Sequence, residues 1–173
     1  MDEVALPLHG GCFCGGVRYR VAGAPLMAHV CHCHLCQKRS GSAFSVMVLV
    51  RTEDLTVEGA LRTSRRTTGR GREVDDSACP DCGAYLLACA PSAAEYTTLR
   101  AGTLDDASWV NPIAQVWVES AIPWAVSRAF STLTRKGSIT TPWAKPGGRA
   151  RRLFVSDGRD AASASAAGCP APR

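Results

Sequence analysis

No run of apolar side chains in the 173 residues approaches the roughly 20 that a membrane-spanning helix requires, which sets aside a helical membrane protein. The opening residues, Met1-Asp2-Glu3-Val4, carry no basic stretch followed by an apolar one, so no secretory signal is visible and the expected compartment is the cytoplasm. Excess positive charge is missing from most of the chain. Residues 1–130 carry a net −1, and the +5 of the whole sequence comes from residues 131–173, which carry +6. Basicity confined to a tail does not describe a nucleic-acid-binding face, and no aromatic stacking platform is interleaved with Arg149, Arg151 and Arg152. Nucleic acid is therefore not an expected partner. No internal repeat is present beyond a recurrence of cysteine pairs. With 46% hydrophobic and 20% charged residues the composition is that of a folded domain, and the length suits one domain rather than two.

Cysteine, by contrast, is abundant, with nine in all. In a reducing compartment disulfides are disfavoured, so metal ligation is the better reading of the clustered cysteines, and eight of the nine, Cys12, Cys14, Cys31, Cys33, Cys36, Cys79, Cys82 and Cys89, lie in the first ninety residues. Cys169 stands alone in the tail.

Residues 16–21 alternate apolar and polar side chains and residues 44–50 form a β-branched apolar run, both patterns of strands. Further strands are expected at 26–30, 55–58, 61–67, 84–89, 95–100 and 113–119, and short helical turns at 34–40 and 105–109. Many short strands with frequent turns imply an all-β sandwich, barrel or folded antiparallel sheet over residues 1–130. Residues 131–173, rich in Arg, Gly, Pro, Ser and Ala, bury too little to offset the entropy of ordering and are expected to be a flexible tail; Trp143, Leu153, Phe154 and Val155 are its candidate anchors.

In an extended segment residues i and i+2 point to the same side, so Cys12 and Cys14 can reach one ion, and the glycines after them let the backbone turn close to it. Cys79-Pro80-Asp81-Cys82-Gly83 is a zinc-knuckle pattern, and the two pairs together make a closed four-thiolate structural site. The competing reading of Cys79 and Cys82 as a redox dithiol requires a helix N-terminus in a βαβ setting, which is not visible. Cys31, Cys33 and Cys36 are left without a fourth cysteine at knuckle spacing, since Cys89 sits alone in an apolar strand as an inert buried thiol. A three-thiolate zinc site with an open fourth position is the economical reading. His32 and His34 alternate with the cysteines and face away from them, as supporting or solvent-facing groups rather than ligands.

Gly11-Cys12-Phe13-Cys14-Gly15, then Cys31-His32-Cys33-His34-Leu35-Cys36-Gln37, then Ser40-Gly41-Ser42-Ala43-Phe44, then Cys79-Pro80-Asp81-Cys82-Gly83, resemble in order the glutathione-dependent formaldehyde-activating enzyme (GFA) family, which includes the centromere protein V type. Residues 101–106, 116–120 and Pro123-Trp124 fit as well, so that the resemblance covers about residues 9–126. It implies a folded β-tent domain with two zinc ions per chain. Cys12, Cys14, Cys79 and Cys82 would hold a structural zinc, and Cys31, Cys33 and Cys36 a catalytic one. It further implies a carbon-sulfur lyase with glutathione and formaldehyde, or another thiol and small aldehyde, as partners. Two positions depart from the family pattern: Ala78 stands where an aromatic residue is common, and Gln115 where a histidine is frequent.

The arginine-rich residues 62–72 read either as a solvated hairpin with its tip at residues 69–71 or as forks for carboxylates or a phosphate. Two other readings of the whole remain. One is a non-enzymatic zinc module that makes contacts through its basic tail. The other is a redox or zinc-sensing switch at Cys31, Cys33 and Cys36.

Overall fold

The computed structural model describes residues 4–127 and 132–134. In chain order the described elements are β1 (Leu8–Gly11), β2 (Arg18–Val21), β3 (Met27–Cys31), α1 (His34–Ser40), β4 (Ser45–Arg51), β5 (Leu55–Glu58), β6 (Arg62–Thr67), β7 (Glu73–Ala78), β8 (Tyr85–Cys89), β9 (Tyr96–Arg100), β10 (Ala114–Val116) and β11 (Thr132–Thr134). They form a three-stranded sheet, β1-β2-β5, and an eight-stranded sheet, β11-β10-β3-β4-β9-β8-β7-β6. No described helix is long and apolar enough to cross a membrane.

The expected β architecture is present, with one correction. The large sheet is mixed rather than antiparallel, because β10 runs parallel to both β3 and β11. Residues 101–113 carry the chain from β9 past β4 and β3 to the far side of β3, where β10 enters running in the same direction as β9. Residues 105–109 form a bend and a turn instead of a helix, and the strand expected at 113–119 stops at Val116 because Trp117 takes a left-handed backbone conformation with φ of 60°. Beyond β11, the expected tail and its anchors lie outside the described residues.

Strand alternation divides the side chains of the large sheet between two faces. On β4, Val48 and Val50 point into the core between the sheets, while Met47 and Leu49 line a cleft on the other face. The core face joins them to Leu8, Tyr19, Val21 and Leu99. Val21, Val48, Val50 and Leu99 are each 0% exposed, a burial that favours the fold by about 1.5–3 kcal/mol per side chain. β3 follows the same rule. Ala28 and Val30 are buried, and Met27, His29 and Cys31 face the cleft.

α1 has only seven residues, too few to be stable by itself, and it is fastened from several sides. The Cys33 sulfur caps it by accepting from the Cys36 amide at 3.4 Å, and Gly41, with φ of 63°, ends it in the left-handed conformation that glycine tolerates. The Gln37 side-chain amide donates to the carbonyls of His32 (2.7 Å) and Ser120 (2.8 Å). Arg39 pairs at 2.9 Å with Asp76 of β7, which is fully buried and also pairs with Arg66 of β6. That carboxylate ties the helix to the far edge of the sheet.

Candidate metal centres and cleft

The seven cysteines singled out by spacing converge as two groups. In the first, the sulfurs of Cys12, Cys14, Cys79 and Cys82 lie within 4.8 Å of one another. Cys12 and Cys14 approach to 3.4 Å, and Cys14 and Cys79 to 3.7 Å across 65 residues of sequence. Each half is a tight turn that aims backbone N–H groups at sulfur. The Val17 amide donates to Cys12 Sγ at 3.2 Å, and the amides of Gly16 and Ala84 serve Cys14 and Cys82. Gly83, with φ of 74°, supplies the left-handed residue of the second turn. Burial pushes the Cys12 thiol up, but the Val17 amide and the neighbouring sulfurs outweigh it and bring its pKa down to about 6. Cys14 has the Gly16 amide in its favour, yet its neighbours Cys12 and Cys82 push it up to about 12. One thiolate is thus stabilised at the expense of the next, a conflict that a shared cation would relieve.

Cys31, Cys33 and Cys36 form the second group, again with sulfurs within 4.8 Å. Cys31 ends β3 on its cleft face, Cys33 caps α1, and Cys36 lies in the first turn of the helix. Hydrogen bonds from the Cys31 and Cys36 thiols hold Cys33 down to about 2, while the same contacts, with burial, raise Cys31. Cys31 and Cys36 are buried, and all three residues line a cleft of about 670 Å³. The two groups therefore differ in kind. Four sulfurs can close around a tetrahedral ion, whereas three beside a cleft can hold one with a position facing the cavity.

Of the two histidines between the cysteines, His32 turns away from the cleft to Gln115, while His34 lines the cleft beside the sulfurs. His32 is fully buried, and its Nε2 is 2.9 Å from Gln115 Oε1. Gln115 is itself fully buried, accepts from the Ser127 amide at 3.3 Å, and donates to the Ser127 carbonyl at 2.6 Å. The glutamine at the departing position thus carries the hydrogen bond that holds His32 in place. His34, the first residue of α1, is exposed at the cleft. Ala78 is buried at the end of β7, immediately before Cys79. Cys89 belongs to neither group, and it is disulfide-bonded rather than the free buried thiol its strand suggests.

Sequence reasoning missed Arg100. Its side chain is buried at the end of β9, stacked over the Tyr85 ring at 4.3 Å, and its Nε and both terminal nitrogens have no hydrogen-bond partner among the described residues. A buried guanidinium without an anion is costly by several kcal/mol. Its positive charge also acts on Cys36. Three thiolates around a divalent cation keep one net negative charge, which would answer Arg100, so the surroundings of the triplet fit a metal held by deprotonated sulfurs. An arginine closing an otherwise apolar and threonine-rich strand was the available signal. The arginine-rich hairpin is resolved in part: Arg65 pairs with Asp75 at 2.7 Å, Arg66 pairs with Asp76, and Arg72 lines the cleft.

Residues 7–120 match the family described as glutathione-dependent formaldehyde-activating enzyme. No functionally curated protein matches the chain. Among solved structures, a crystal structure of a Rhodobacter sphaeroides protein from a structural genomics programme is 27% identical, with a TM-score of 0.45, over 60% of this chain and 91% of that one.

Proposed function

The chain belongs to the glutathione-dependent formaldehyde-activating enzyme family, and from that premise we propose that it joins a thiol, glutathione foremost, to a small aldehyde at a metal held by Cys31, Cys33 and Cys36. The observation that carries this reading is the opening of three clustered sulfurs onto a cleft of about 670 Å³. Zinc suits an all-sulfur donor set at both cysteine groups, structural at Cys12, Cys14, Cys79 and Cys82 and reactive at the triplet.

When bound there, zinc supplies a Lewis acid that acidifies a thiol or polarises an aldehyde oxygen. The protein's own residues do the rest. Cys31 and Cys36 are fixed by β3 and α1, and the His32–Gln115 contact locks the turn between them. Arg100 offsets negative charge at the sulfurs. The cleft walls bring sulfur and carbonyl carbon together and limit water around them, which converts a two-body encounter into a local one. In the overall reaction a C–S bond forms, the C=O π bond becomes a C–O–H group, and the thiol proton ends on that oxygen. The product with formaldehyde is S-hydroxymethylglutathione, and the reverse direction is carbon-sulfur lyase chemistry.

Exchange spectroscopy by NMR on formaldehyde and glutathione, with the metal-loaded protein, tests this. Accelerated adduct exchange that disappears in Cys36→Ser is the expected result. Exchange no faster than the uncatalysed rate, with two metal ions bound per chain, would overturn it.

A further inference from the structure

The cleft is built for more than a one-carbon aldehyde. Its floor is the outer face of five strands of the large sheet, β3, β4, β9, β8 and β7, and most of the side chains there are apolar: Met27 from β3, Met47 and Leu49 from β4, Ala88 of β8 with Ala90 just after it, and Val74 from β7. Val74, Ala88 and Ala90, with Ala93 beside them, form an apolar cluster of their own, apart from the core between the sheets. Small side chains make the space. Where β8 packs on the core it uses Leu86 and Leu87, and where it faces the cleft it uses alanine. The far wall is the β6–β7 hairpin, whose tip at Gly69 lies so close to Trp117 that a Cβ there would be 3.2 Å from the indole. His29 beside Met47 and Thr98 between Leu49 and Ala88 are polar side chains within the floor, and further polar groups sit around it. Arg72 in particular lines the cleft, which Glu95 also lines, and has no ion pair among the described residues.

A volume of about 670 Å³ falls in the range that encloses a ligand of drug-like size. Formaldehyde contributes one carbon. A polar thiol with carboxylates finds partners at Arg72 and the surrounding hydroxyls, and this leaves the floor of methionine, leucine, valine and alanine facing water. We propose that the electrophile this cleft selects is an aldehyde bearing an apolar substituent of several carbons, which lies on the floor while its carbonyl carbon meets the thiol at Cys31, Cys33 and Cys36. This rests on the assignment of the triplet as the reactive centre. The chemistry keeps the same balance: sulfur bonds to the carbonyl carbon, the C=O π bond opens, and the thiol proton goes to oxygen.

S-alkylglutathiones from S-methyl to S-hexyl, titrated calorimetrically into the metal-loaded full chain, read the floor without any chemistry. Affinity should rise about fourfold for each added methylene over the first few carbons. Ala90→Phe, which fills the floor, should flatten that dependence. In parallel, NMR exchange with glutathione should be accelerated more for hexanal than for formaldehyde. Affinity independent of chain length in the unaltered protein overturns the proposal, even if formaldehyde exchange is accelerated. Affinity that climbs with chain length, with no aldehyde exchanged faster than in buffer, supports the apolar floor and overturns the thiol–aldehyde reading of the cysteines instead.

Discussion

Arg100 is a charge placed where a charge should not be. Its guanidinium is buried, stacked on Tyr85 and without a hydrogen-bond acceptor among the described residues, so the metal-free chain carries the full cost of its desolvation. Arg100→Met should therefore act in opposite directions on the two states. The metal-free protein is expected to gain stability in urea, while zinc affinity at the triplet falls by roughly 100-fold, or about 3 kcal/mol, as read by chelator competition. Equal affinity in the two proteins would remove Arg100 from the electrostatics of the site. In the core, Leu99 has no such second role, and Leu99→Ala should cost about 2–5 kcal/mol in denaturation without changing metal affinity. The cysteines were legible because ligand spacing is local: 12 with 14, 79 with 82, and 31 with 33 and 36. Arg100 and Gln115 were not, because their meaning lies in partners that only tertiary structure supplies. Gln115 is 83 residues from the histidine it holds.

Among elements, the same distinction separates the strands read correctly from those missed. β4 and β8 announce themselves by β-branched and apolar runs. β7, Glu-Val-Asp-Asp-Ser-Ala, carries three carboxylates and lacks that signature; it is a strand because β6 places arginines beside it. Arg65 grips Asp75 through two bonds of 2.7 and 2.8 Å, and these hold the Asp75 carboxyl below the usual carboxylate range. A carboxylate whose pKa is depressed on folding stabilises above its unfolded value, near 4, and that contribution is lost as pH falls through the lower folded value. Arg65 is more than half exposed, so the effect is modest. Arg65→Met should lower stability slightly at neutral pH, and the difference from the unaltered protein should vanish in acid, where Asp75 is protonated in both. A gap that persists in acid would mean that Arg65 acts by packing. The mixed pairing of β10 had no sequence signal at all, since strand direction depends on the route of residues 101–113. The early end of that strand was equally hidden, because it depends on the backbone at Trp117.

For the molecule as a whole, the proposed function has the two cysteine groups divide the labour between holding the chain and exposing a reactive surface. Cys12 and Cys14 meet Cys79 and Cys82 across the length of the domain, fastening the small sheet to the end of β7. The triplet joins only β3 to the adjoining helix. Metal removal should accordingly occur in two stages. A competing chelator is expected to take the ion at the triplet first, with little change in far-UV circular dichroism, and the second ion only as the fold is lost. Cys36→Ser should purify with one ion and a folded spectrum, whereas Cys79→Ser should fail to give a cooperative unfolding transition. Loss of both ions in one step, from Cys36→Ser or under chelation, would show that the groups are not independent.

Trp117 gives this architecture an optical consequence. Its indole packs against the cluster of Cys31, Cys36, Met47 and Val116 on one side and meets the hairpin tip at Gly69 on the other. Of the other tryptophans among the described residues, Trp109 packs on the core between the sheets and Trp124 is 76% exposed. Emission that changes when an ion reaches the sulfurs, or when a ligand enters the cleft, would come chiefly from Trp117. The chain thus contains its own fluorophore at the junction of cleft and cysteines, and binding there can be followed without a label.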